Sequence, residues 1–277
     1  MTVLVEPKID CHCHILDPVG FPYTTDTRYR PSGQEIATAA QMNQLFAAHG
    51  VRHALIVQPN SGYGDDNRCM LSAIAASAGR YRGIAVVPHS ISIDALEELK
   101  ARGVVGVAFN VPFHGVPYYL DTGALIAKLA ARDMFLQIQV EGEQLLALLP
   151  LIEQSTVKVL IDHCGRPVPA AGLQQPAFQA LLVLGRSGRA VVKLSGANKF
   201  SNRPHPFKDT WPFMRALVDA FTLERCVWGS DWPFLRAPER VDYGPLLSLV
   251  EHVFPNPADR RMLLWDTPQR LFGFPVH

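Results

Sequence analysis

The sequence predicts a single-domain α/β protein, a (β/α)8 barrel of the TIM type, on three observations. Apolar runs rich in Val and Ile recur eight times, each separated from the next by a stretch with helical patterning. The runs are nearly continuous rather than alternating, as strands buried on both faces of a parallel sheet are. The 277 residues suit one such barrel, and no linker-like or low-complexity segment divides them. A doubly wound open sheet is the rival architecture. It needs a phosphate loop, and the sequence contains neither G-x-G-x-x-G nor a Walker pattern.

In chain order the strands are expected at 8–11, 54–58, 83–87, 104–110, 135–140, 157–162, 191–195 and 226–229. The first helix, 35–49, stops at Gly50; the second, 66–77, opens on Asp66 and stops before Gly79; the third, 93–101, follows Ser92 and stops before Gly103. Such starts and stops are ordinary cap chemistry. Helices at 123–132, 143–154, 176–184, 207–220 and 241–253 complete the alternation. Two long loops, 22–31 after the first strand and 195–206 after the seventh, are of the length that usually carries function.

Composition narrows the function. A formal net charge of +1 argues against nucleic acid or an anionic membrane as partner, and leaves a small molecule. No apolar run has the length of a membrane span, and residues 1–6 lack the features of a signal peptide. The five cysteines are odd in number and free of Cys-x-x-Cys spacing, which fits a reduced, cytoplasmic protein. Self-association is left open.

The first strand ends in Ile9-Asp10-Cys11-His12-Cys13-His14. Alternation along a strand puts His12 and His14 on one face and Cys11 and Cys13 on the other, so Cys13 is expected to be packed and inert. Two neighbouring imidazoles can grip one metal ion or donate two hydrogen bonds to one oxygen. A lone H-x-H is weak evidence. Its weight comes from the other strand ends, because barrels of this kind place their chemistry at the C-terminal ends of the strands. Those ends carry Asn110 on strand four, Gln137 and Gln139 on strand five, Asp162-His163 on strand six, Lys199 beyond strand seven and Asp231-Trp232 beyond strand eight. Three histidines and an aspartate converging on one mouth make a candidate active site.

The motifs His12-x-His14, Asp162-His163-x-Gly165-Arg166-Pro167 and Gly229-Ser230-Asp231-Trp232-Pro233 resemble the amidohydrolase superfamily, and more narrowly its branch of pyrone dicarboxylate hydrolases and sugar lactonases. The likeness runs from His12 to the segment 267–273 and includes 64–68. It implies hydrolysis of a lactone, a cyclic ester. Binuclear members carry a bridging ligand on strand four and a histidine on strand five; Asn110 and Gln139 stand there, so a two-metal site is not expected. The resemblance implies either one zinc or manganese on His12, His14 and Asp231, with or without His163, or no obligatory metal at all. It also implies arginines after strand four that grip carboxylates, and the segment 108–114 has none. Arg166, Lys199, Arg203 and Arg236 are the remaining cationic candidates, although Arg166 could instead brace its loop and Lys199 and Arg203 could lie on solvated loop faces. Phe109, Phe113, Tyr118, Trp232 and Phe234 could wall a ring or simply pack the barrel top. Asn110, Gln139, Arg166, Lys199, Arg203 and Trp232 form the expected substrate-binding set.

In the expected mechanism Asp231 is the general base that activates water, and His163 with His12 and His14 polarises the carbonyl. Ser195 and Ser230 lie in no G-x-S-x-G elbow, which argues against a serine hydrolase. Two alternatives stand beside this reading. One is a metal-dependent, non-oxidative decarboxylase of the same superfamily, marked by carbon dioxide release and loss of activity on chelation. The other is a non-catalytic ligand-binding barrel.

Overall fold

The computed structural model describes residues 2–237 and 239–275. Its strands are β1 (Lys8–Cys13), β2 (Val51–Val57), β3 (Tyr81–Ala85), β4 (Val104–Asn110), β5 (Phe135–Gln139), β6 (Lys158–Ile161), β7 (Ala190–Leu194) and β8 (Cys226–Trp228). They form one eight-stranded sheet in chain order, and every neighbouring pair is parallel. That order follows from right-handed crossovers, each helix returning the chain beside the strand it left. The eight-unit barrel expectation is met. Among the described residues no helix is long and apolar enough to cross a membrane.

Local chemistry accounts for the boundaries that differ from expectation. The first helix begins at Ala39 rather than 35, because Thr38 caps it: Gln41 N–H donates to Thr38 Oγ1 at 3.2 Å, and Thr38 N–H donates to Gln41 Oε1 at 2.9 Å. The seventh begins at Trp211 rather than 207, since Phe207 is held in the left-handed region (φ +53°). The C-terminal residues add helical turns at Pro257–Arg261 and Thr267–Phe272 that the strand-helix count did not include. They carry Trp265, Phe272 and Phe274 against Ile9, Leu55 and Phe135. Phe272 meets Phe135, the first residue of β5, at 5.3 Å between ring centres, so this segment stoppers the N-terminal end of the barrel. Burying one such aromatic ring contributes roughly 2–3 kcal/mol.

Two irregularities position what lies at the other end. Asp10 pairs with Ala54 and Cys13 with Ile56, so β1 spends three residues where β2 spends two. This bulge breaks strict alternation. Cys11 joins the barrel interior with Ile9, whereas Cys13 faces the helix layer with its Sγ 4.0 Å from Met42 Sδ. The expectation that both cysteines share a face is thereby corrected, and all five cysteines are buried and free.

The second irregularity is the seam between β1 and β8. Asp231 N–H donates to the His12 carbonyl at 2.7 Å, and His14 N–H donates to the Trp232 carbonyl at 2.8 Å. Asp10 clamps the same seam. Its Oδ1 accepts from His12 N–H at 3.1 Å and Ser230 N–H at 2.9 Å, and its Oδ2 accepts from the Tyr243 hydroxyl at 2.9 Å. Gly229 lets the strands approach, because a Cβ there would lie 2.5 Å from His12 Cβ.

Candidate active site

Four side chains converge above the bulge. His14 Nε2 stands 3.4 Å from Asp231 Oδ1, and the Nε2 atoms of His12 and His163 stand 3.6 Å from the same oxygen. Backbone conformation supplies the convergence. Asp231 is left-handed (φ +64°), which turns its carboxylate inward directly after the last strand. His163, Cys164 and Arg166 are left-handed as well, at +50°, +58° and +44°, and fold the loop after β6 back over the barrel axis. Such conformations cost roughly 1–3 kcal/mol each and persist only where the surroundings over-determine them. Here His163 Nδ1 is held at 2.9 Å by Ser195 Oγ. Gly196 makes room for the ring, since a Cβ there would lie 2.6 Å from it.

His14 is oriented from behind by the Val57 carbonyl, 2.8 Å from its Nδ1. A carbonyl can only accept, so Nδ1 carries a hydrogen, and Nε2 is left to face Asp231. Lys199, on the short turn Ala197–Phe200 after β7, places its ammonium 3.1 Å from Asp231 Oδ2 and also holds the Leu235 carbonyl.

Beneath this layer lies a second polar one. Alternation along β5 sends Phe135 into the stopper, Gln137 to mid-barrel and Gln139 to the mouth; along β7 Val191 and Lys193 share the interior face. Lys193 is wholly buried. Its Nζ lies 2.6 Å from Gln137 Oε1, 3.1 Å from Asp162 Oδ1 and 3.1 Å from His12 Nδ1. Gln137 closes the ring by donating from Nε2 to Asp162 Oδ2 at 2.8 Å. The sequence reading gave Lys193 no role. The signal was one lysine inside the five-residue apolar strand AVVKL.

Burial and charge set the protonation states. Burial first, and then the Lys193 ammonium, push the His12 imidazole down to about 4, against the opposing pull of Asp162. Burial likewise takes His163 down to about 3, although Asp231 pulls the other way. Both rings are neutral at physiological pH. Burial alone would raise the two carboxyls. Lys199 and then His163 outweigh it at Asp231, and Lys193 and then His12 outweigh it at Asp162, so both are held well below the usual carboxylate range.

The cavity over these groups has a volume of about 320 Å³. His12, His14, His163, Asp231, Asn110, Gln139, Arg166 and Lys199 all line it, as do Phe109, Phe113 and Arg236. Two expected members of the substrate set do not. Trp232 lines a separate surface groove with Phe234, because the left-handed Asp231 turns the chain and commits the Trp232 backbone to pairing with β1. Arg203 is exposed on a loop tied by Asp209, which accepts from Asn202 N–H at 2.7 Å. Tyr118 also stays outside the cavity, packed between His89 and His114. Arg166 both lines the cavity and braces its loop, with its guanidinium 2.9 Å from Glu141.

His12, His14 and Asp231 offer ligand atoms within 4.8 Å of one another, as do His12, Asp162 and His163. A metal-bound imidazole keeps its hydrogen on the far nitrogen and donates it to an acceptor. His14 meets that requirement through Val57. His12 does not, for its Nδ1 is engaged by the Lys193 ammonium, a pure donor, at 3.1 Å, and Asp162 Oδ1, 3.3 Å from that nitrogen, makes no hydrogen bond to it. The His-x-His pair as arranged therefore does not fit a divalent ion.

A family model described as amidohydrolase matches residues 9–274. The chain is 35% identical over 280 residues to a 4-sulfomuconolactone hydrolase of Rhizobium radiobacter, covering 95% of this chain and 89% of that one. It is 30% identical over 280 residues to a 2-pyrone-4,6-dicarboxylate hydrolase of Comamonas testosteroni, with the same coverage of 95% and 89%. The crystal structure of a probable 2-pyrone-4,6-dicarboxylic acid hydrolase from Acinetobacter baumannii with citric acid bound superposes with a TM-score of 0.88 at 27% identity, covering 96% of this chain and 99% of that one. A 5-carboxyvanillate decarboxylase from Sphingomonas paucimobilis shares the fold alone, at 12% identity and a TM-score of 0.70, with 97% and 99% of the chains covered.

Proposed function

We propose, since this chain belongs to the amidohydrolase family, that it is a hydrolase opening the ring of a small lactone that carries an anionic group. One observation carries the reading: a single carboxylate oxygen, that of Asp231, lies 3.4 to 3.6 Å from three imidazole nitrogens at the floor of the cavity. The relatives hydrolyse lactones by name, and one of those names contains a sulfo group and another two carboxylates. Lys199, Arg166 and Arg236 on the cavity wall supply matching positive charge.

In this mechanism a water molecule sits beside Asp231, and the lactone carbonyl lies over the imidazoles. Asp231 takes one proton from the water as its oxygen attacks the carbonyl carbon. Negative charge gathers on the carbonyl oxygen and is held by imidazole N–H groups, which cost little to reorganise because the second layer fixes them. The carbon–oxygen bond of the ring then breaks. Asp231 returns its proton to the departing ring oxygen, and the product is the open hydroxy acid. Lys199 keeps Asp231 ionised and in place before the reaction. The same ion pair weakens the base, and a substrate anion that draws the ammonium away from Oδ2 restores its strength.

Asp231→Asn tests the assignment on a panel of anionic lactones, read as a mass gain of one water in the product. We expect turnover to fall by roughly 10²–10⁴-fold with the circular-dichroism spectrum unchanged. Wild-type turnover in the variant would remove Asp231 from the chemistry. Release of carbon dioxide without water addition would favour the decarboxylase instead.

A further inference from the structure

We propose that Lys193 is a positioning residue that fixes His12 in the tautomer with hydrogen on Nε2, so that His12 enters the cavity as a hydrogen-bond donor and not as a lone pair. The inference deepens the proposed hydrolysis. It rests on that reading for what His12 does to substrate, and on the geometry of the buried layer alone for how His12 is held.

Hydrogen counting carries the argument. An ammonium has three hydrogens and no lone pair. Lys193 has three acceptors within reach: Gln137 Oε1 at 2.6 Å, Asp162 Oδ1 at 3.1 Å and His12 Nδ1 at 3.1 Å. No solvent reaches it to offer a fourth, since Lys193 is 0% exposed. Asp162 Oδ1 also lies 3.3 Å from His12 Nδ1 and would accept a hydrogen from that nitrogen. Such a hydrogen would point two donors at each other across the Lys193 contact and leave one ammonium hydrogen in the barrel core without an acceptor, a loss of about 1–3 kcal/mol. With the lone pair on Nδ1 the ammonium donates to Gln137 Oε1 and to His12 Nδ1 and faces Asp162 Oδ1 as an ion pair at 3.1 Å, while Gln137 occupies the other oxygen of Asp162. A neutral imidazole has one hydrogen, which then sits on Nε2 and faces the cavity beside Asp231 Oδ1, 3.6 Å away.

The two histidines of one motif are thus held from behind by opposite partners. His14 gives its Nδ1 hydrogen to the Val57 carbonyl. His12 takes a hydrogen at Nδ1 from Lys193 and so presents its own at Nε2. A carbonyl oxygen resting on the His12 side meets a donor that is in place before any proton moves.

The experiment is a long-range ¹H–¹⁵N correlation spectrum of ¹⁵N-histidine-labelled wild-type protein without substrate, with His12 assigned by comparison with His12→Gln. We expect the protonated-nitrogen signature at His12 Nε2 and the unprotonated one at Nδ1. The reverse pattern overturns the proposal whether or not the protein hydrolyses any lactone. Lys193→Met adds a second readout. Its His12 is expected to switch to hydrogen on Nδ1, donated to Asp162, and its kcat to fall at least about 10-fold with KM changed less than about 3-fold. A folded Lys193→Met protein whose His12 signature matches wild type would equally sink the assignment. Should that variant fail to fold, the wild-type spectrum alone decides.

Discussion

The ammonium of Lys199 stands 3.1 Å from Oδ2 of Asp231, the carboxylate oxygen opposite the one that the three imidazoles surround. Lys199 is the largest influence lowering the Asp231 carboxyl, and it must overcome burial, which raises it. Lys199→Met removes that influence. The acid limb of the kcat/KM profile is therefore expected to move to higher pH, and its plateau to fall by roughly 10-fold or more through loss of charge at the substrate anion. A pH profile measured for both proteins checks this. An acid limb that stays in place or moves down would break the link between the ion pair and the base.

The depressed histidines make stability depend on pH. His12 at about 4 and His163 at about 3 lie below the ordinary histidine value of 6.5. Between 6.5 and about 4 the unfolded chain takes up protons that the folded chain refuses, so stability falls as pH falls through that window. The slope is about 1 kcal/mol per pH unit for each histidine. His53, His89 and His114 are lowered by burial too and act in the same direction. The carboxyls Asp162 and Asp231 are held low instead, so their share is lost only below about 4. Urea unfolding at pH 7, 6 and 5 is expected to show a steady drop, and His163→Asn to show a shallower one.

Gly229 tests the closeness of the seam. A methyl group there would sit 2.5 Å from His12 Cβ, so Gly229→Ala is expected to cost about 1–3 kcal/mol and to cut turnover at least about 10-fold. Gly64 is the control. Its φ of +57° strains an alanine, but open space surrounds it. Gly64→Ala should cost only about 1 kcal/mol and leave turnover within about two-fold. Thermal denaturation and initial rates distinguish the two.

Cations on the cavity wall and on the loop should behave differently. Arg166→Ala removes a lining guanidinium that also pairs with Glu141, and KM for an anionic lactone is expected to rise about 10-fold or more. Arg203→Ala alters an exposed side chain outside the cavity and should leave kcat and KM within about two-fold.

Much of this layout was legible in the residues. The nearly continuous apolar strands gave the barrel because parallel strands are buried on both faces, and the polar residues at their C-terminal ends, His12, His14, His163 and Asp231, could then be placed on one rim. Three kinds of information were not legible. The bulge that separates Cys11 from Cys13 inserts one residue without any glycine or proline to mark it. Trp232 and Arg203 lie outside the cavity because one left-handed residue and one loop turn decide where their side chains go, and neither shows in a pattern of hydrophobicity. Lys193 was passed over for a third reason. A lysine within an apolar strand has meaning only through its partners, Gln137 and Asp162, which lie 56 and 31 positions away along the chain.

The contact of Asp231 N–H with the His12 carbonyl joins the first strand to the residues just after the last, 219 positions on. A chain emerging from synthesis holds both histidines of the first strand long before it holds the aspartate. On the proposed mechanism a partly built barrel has its imidazoles but no base, and turnover begins only when the last strand docks.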